Sequence, residues 1–134
     1  VQAIAETKKI DCWILFPLSA IARQMPKDEE PSESWALNLD RVFGDRSYWH
    51  DLYQTSPQLS MFDDEPSLER SEGSGQIADN YCRRLEEVFA KVAPTRRKFT
   101  NSRNSPMFEL FFAASNPAGA SVAIRIADHI LKNW

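Results

Sequence analysis

The run Asp11-Cys12-Trp13-Ile14-Leu15-Phe16-Pro17-Leu18 constrains this chain more than any other stretch. Its apolar residues are continuous rather than alternating. That pattern fits a strand covered on both faces, as in a parallel α/β sheet, and the proline stops it abruptly. Such strands carry function at their carboxyl ends, so a site is expected at Phe16, Pro17 and the residues just beyond. Composition and spacing alone define no chemistry. They define a soluble α/β piece, expected to belong to something larger.

The 134 residues, 43% of them hydrophobic, are enough for one domain with a real core. A net charge of −3 and a pI near 5.4 oppose a general nucleic-acid binder. Arg96, Arg97, Lys98 and Arg103 form the one basic cluster. No apolar run approaches the ~20 residues of a membrane span. Residues 1–7 are mildly amphipathic and precede Lys8-Lys9, the wrong order for an export signal. Cys12 and Cys82 lie far apart in sequence and read as reduced thiols of a cytoplasmic protein. Two cysteines and two histidines without paired spacing make no metal pattern.

Residues 1–8 read as the last turns of a helix and residues 10–16 as the first strand. Leu18, Ile21, Ala22 and Met25 share a helical face that ends at Pro26. Trp35, Leu39 and Phe43 define a helix over residues 33–43, with Ser32 as N-cap and Gly44 as left-handed C-cap. A short aromatic helix is expected over 47–53. Residues 54–75, rich in Ser, Pro, Asp, Glu and Gly, read as a mobile acidic loop, with Leu59 and Met61-Phe62 as an anchoring point. Ile77, Tyr81, Leu85, Val88, Phe89 and Val92 predict a long amphipathic helix over 76–93. Residues 97–101 and 107–115 predict an antiparallel hairpin. A final helix follows Asn116-Pro117, with Val122, Ile126 and Ile130 along one face.

The order of several pieces resembles the three-Cys-motif partner (TcmP) family of bacterial proteins. These are the 11–17 run with Arg23 after it; Phe43-Gly44-Asp45 with Trp49; and Leu59-Ser60-Met61-Phe62. Tyr81, Leu85 and Phe89 follow, then the stretch Met107-Phe108-Glu109-Leu110-Phe111-Phe112-Ala113-Ala114-Ser115-Asn116. The resemblance covers nearly the whole chain. It implies a divergent class I methyltransferase, Rossmann-like, of which this chain would be the carboxyl-terminal half: a fourth strand, later helices, a closing antiparallel hairpin and a last helix. The sheet is then expected to be mainly buried. The resemblance also implies a three-cysteine-motif protein as partner, and S-adenosylmethionine as cofactor of the full-length protein, with none bound by this chain. Gly44, Gly73, Gly75 and Gly119 are the only glycines, and Gly73-Ser74-Gly75 has no strand feeding it as a nucleotide-binding turn would require.

The candidate substrate-binding residues are therefore Phe16, Pro17, Ser19 and Arg23. Methyltransferases acting on amino groups place a polar residue at this strand end. Here Asp11 stands at the strand's beginning, and Ser19 is the first polar group past its end. Each candidate also has a plainer reading, Phe16 and Pro17 as core and strand termination and Arg23 as a solvated helix residue. The neighbours Trp49-His50-Asp51 and Asp128-His129 do not face each other on a helix, so neither makes a base–carboxylate pair. Two functions stay open. One is the substrate-side half of a methyltransferase-like protein; the alternative is a non-catalytic interaction module of degenerate methyltransferase fold. Exposed sheet edge and helix faces are expected to drive homo-oligomer formation. A third reading, nucleic-acid binding through the basic cluster, is opposed by the overall acidity.

Overall fold

The computed structural model describes residues 1–55, 68–70 and 73–134. Helix α1 (Gln2–Glu6) leads into strand β1 (Cys12–Phe16), then helices α2 (Leu18–Gln24), α3 (Glu33–Phe43) and α4 (Ser47–His50). Short strands β2 (Tyr53–Thr55) and β3 (Leu68–Arg70) pair antiparallel as a separate ladder. Helix α5 (Ser74–Val88), strands β4 (Lys91–Val92), β5 (Arg97–Thr100) and β6 (Pro106–Ala114), and helix α6 (Ala120–Asn133) complete the order. The stretch expected as a loop over 54–75 thus contains two short strands and the start of α5. Leu59, Met61 and Phe62, expected as an anchor, lie outside the described residues.

The main sheet is built around β6. On one side β6 pairs with β1, Phe16 facing Glu109 and Cys12 facing Ala113; on the other it pairs with β4 and β5. Every ladder among the described residues is antiparallel. This corrects the expectation of a parallel sheet covered on both faces. The 97–100 and 106–114 strands do form the expected antiparallel hairpin, turned through Asn101, whose side-chain oxygen accepts from the amides of Arg103 and Ser105.

Period-two alternation along β6 divides the core in two. Phe111 and Ala113 point into the larger cluster, with Phe16, Leu18, Ile21, Met25, Leu39 and Phe43 among its members, while Leu110, Phe112 and Ala114 point to α6. Cys12, Ile14 and Phe16 of β1 join the larger cluster. Trp13 and Leu15 point the other way and are exposed, Trp13 resting its ring against Phe112 at 4.8 Å. The run read as buried on both faces is therefore bare on one, because α6 packs over β6 and β4 and leaves β1 uncovered.

Local chemistry explains the helix ends. The Ser32 hydroxyl accepts from the Trp35 amide, and Gly44 closes α3 at φ 97°. The predicted 47–53 helix stops at His50, and α5 stops at Val88, with Phe89 already extended and Val92 in β4. Asp11 and Ser115 latch the two ends of the long-range pairing. The Asp11 carboxylate accepts from the Ser115 amide at 3.0 Å, and the Ser115 hydroxyl donates to the Ile10 carbonyl at 2.7 Å. No helix of the described residues is long and apolar enough to cross a membrane.

Candidate functional site

Three places carry features beyond packing. The first is the carboxyl end of β1. Phe16 is buried there in an aromatic box, stacked on Tyr81 at 4.3 Å and edge-on to Phe43 at 6.3 Å and Phe111 at 6.2 Å. Pro17 caps α2, its carbonyl accepting from the amides of Ala20 and Ile21. Ser19 is half-buried on the first turn, and Arg23 is exposed, its Nε donating to the Ser19 carbonyl at 3.3 Å. The four candidates thus share one strand end and one helix. The Phe16 ring, however, is turned into the core, and Arg23 is turned back along its own helix.

Beside this strand end stands Glu109, the register partner of Phe16. Its carboxylate is 1% exposed, with Arg96 Nη1 at 3.5 Å and Lys98 Nζ at 3.6 Å. Neither carboxylate oxygen finds a hydrogen bond among the described residues. Arg96 reaches onward from β5's leading turn to Asp79 of α5 at 2.5 Å and lies over the Phe111 ring. Burial works against the charged guanidinium, but the bond to Asp79 and the charge of Glu109 hold Arg96 above its ordinary pKa. An acid at the end of β1, absent from β1 itself, is thus supplied across the ladder. The signal for it in sequence is one carboxylate inside an otherwise apolar nine-residue strand.

The second place is a polar cleft of about 370 Å³ between α4 and α5, lined by Ser47, Tyr48, Asp51, Asn80, Arg83 and Glu87. Its groups are largely spent on each other. The Asn80 amide donates to the Tyr48 carbonyl and its oxygen accepts from Arg83. Arg84 bonds the Phe43 carbonyl at 2.9 Å and stacks over Tyr48 at 4.3 Å. A hydrogen bond to Glu87 raises the Tyr48 pKa, so the phenol keeps its proton. The Ser47 hydroxyl donates to the Asp45 carboxylate at 2.7 Å, a bond that lowers the Asp45 pKa and makes it a weaker base. His50 meets Glu30 at 3.5 Å, Trp49 donates to Asp40 at 2.8 Å, and His129 contacts Asn133, so neither histidine is poised on its sequence neighbour. Burial raises the pKa of both Cys12 and Cys82, which leaves them as thiols. No group of three potential metal ligands occurs among the described residues.

The third place is the outer face of α6. Val122, Ile126 and Ile130 share one face, as their spacing predicts, and that face is exposed, while Ala120, Ala127 and Leu131 pack inward. Two adjoining apolar hollows run along this ridge. One, of about 340 Å³, is lined by Arg125, Ile126, His129 and Ile130; the other, of about 410 Å³, by His129, Ile130, Asn133 and Trp134. Trp134 is anchored edge-on against Phe99 at 5.9 Å. Lys132 is paired with Asp128, whereas Arg125 makes no ion pair or hydrogen bond among the described residues.

The chain matches no family model, no curated protein and no solved structure.

Proposed function

We propose that this chain is a protein-interaction module that docks a partner along α6. One observation carries the reading: an apolar ridge of Val122, Ile126 and Ile130, four residues apart, lies open to solvent beside Arg125, a cation without an ion pair among the described residues. Single exposed apolar residues are ordinary, but a contiguous row at helical spacing marks an interaction surface. Its counterpart is an amphipathic segment whose apolar face carries a flanking carboxylate for Arg125. By resemblance, the partner is a three-cysteine-motif protein.

Glu109 favours a second reading, the substrate-side half of a methyltransferase-like protein. A buried carboxylate with open acceptor sites beside the β1 terminus is where a target amine would be held. Calorimetric titration separates the two. The docking reading expects binding of a purified three-cysteine-motif protein and no heat from S-adenosylmethionine. Uptake of S-adenosylmethionine by a protein containing this chain, with methyl transfer but not that uptake lost in Glu109→Gln, would replace it with the second.

A further inference from the structure

We propose that β1 is the seam of a homodimer, pairing antiparallel with β1 of a second copy about a twofold axis at Ile14. The outer edge of β1 has no ladder partner among the described residues. Edge strands are normally blunted by lysine, proline, a bulge or a covering element, and Cys12–Phe16 has none of the first three within it.

The hydrogen-bond phase of the edge follows from its inner neighbour. The Phe112 carbonyl is given to the Ala93 amide of the strand on the far side, so Phe112 and its register partner Trp13 form a non-hydrogen-bonded pair. The N–H and C=O of Trp13, and of Leu15 two residues on, therefore point outward from the sheet. A twofold at Ile14 sets Trp13 of one copy opposite Leu15 of the other, so that these outward groups bond reciprocally. The same register puts the two exposed side chains together on one face as an aromatic–aliphatic cross-strand pair. The seam contains no charged residue of either sign between Asp11 and Arg23, so no like charges meet in it. Trp13 at 46% and Leu15 at 55% exposure supply the apolar contact. That contact is on the order of 200 Å² a copy, well below the ~800 Å² a side of a standard interface, so the dimer is a reversible one.

Sedimentation velocity across a concentration series tests this on the full 134-residue chain. A monomer–dimer equilibrium is expected, weakened at least tenfold by Leu15→Lys, whose exposed position leaves the circular dichroism unchanged. In a Cys12→Ala, Cys82→Ala background, Ile14→Cys is expected to form an intermolecular disulfide, because the twofold sets residue 14 against itself at ~4.5 Å between Cα atoms. Leu15→Cys, which faces Trp13 of the other copy, is expected not to. A chain that stays monomeric throughout overturns the proposal. So does a dimer indifferent to Leu15→Lys, or one dispersed by Ile126→Asp alone. Partner binding along α6 is read separately by Ile126→Asp and survives either result.

Discussion

Removing the Phe16 ring takes one wall from the box it shares with Phe43, Tyr81 and Phe111. Phe16→Ala is expected to destabilise the fold by about 3–5 kcal/mol in denaturant titration, the range for deleting a buried aromatic. Tyr81 closes the same box, and burial raises its pKa. A raised folded value means the neutral phenol contributes stability that is complete below the ordinary tyrosine range near pH ~10 and is lost as pH rises through the folded value. Alkaline unfolding is therefore expected to steepen above that range, and Tyr81→Phe to flatten it. At Glu109, exchange for glutamine leaves Arg96 and Lys98 facing a neutral amide. Lys98 is well solvated and Arg96 keeps Asp79, so the expected loss is about 2–4 kcal/mol rather than the full cost of breaking a buried pair. Sequence showed Phe16 as an apolar strand end open to two readings. It did not show Glu109 as a neighbour of Phe16, because the two lie on strands joined only by long-range pairing.

Among the elements, α3 was the most legible, since its cap, its apolar spacing and its terminal glycine mark the same bounds, although Trp35 stands exposed and Ala36 joins Leu39 and Phe43 in the core. Gly44 sits at φ 97°, and a Cβ there would meet Arg84 Nη2 at 3.0 Å. Gly44→Ala is expected to cost about 1–2 kcal/mol from the left-handed backbone alone, read as a lower Tm. Helix α6 was legible as a helix but not in its rotation. Val122, Ile126 and Ile130 form the more hydrophobic stripe, yet the small residues Ala120, Ala127 and the leucine at 131 face the sheet. Small side chains let the helix lie close against Phe112 and Ala114, and periodicity alone does not weigh that close approach against bulk. The ends of α4 and α5 were overextended for a related reason. Tyr53 and Val92 continue the helical apolar pattern but belong to strands whose partners lie elsewhere in the sequence.

For the whole molecule, the mixture of helices and strands and the closing hairpin were readable, whereas the direction of β1 was not. A continuous apolar run is compatible with parallel or antiparallel pairing, and only β6, some hundred residues later, decides between them. The resulting fold buries one side of β1 and leaves two apolar surfaces on the other, the Trp13–Leu15 pair and the α6 ridge. Substitutions of Leu15, Val122 or Ile126 are expected to be nearly silent in stability, within about 0.5 kcal/mol, whereas Trp13 also holds Phe112 through its ring contact. The most direct measurement is calorimetric titration of a three-cysteine-motif protein into the wild-type chain and into Ile126→Asp, with thermal unfolding run alongside. The docking account predicts binding by the wild type, at least tenfold weaker binding by the variant, and an unchanged Tm. Equal binding by both, or none by the wild type, would contradict it.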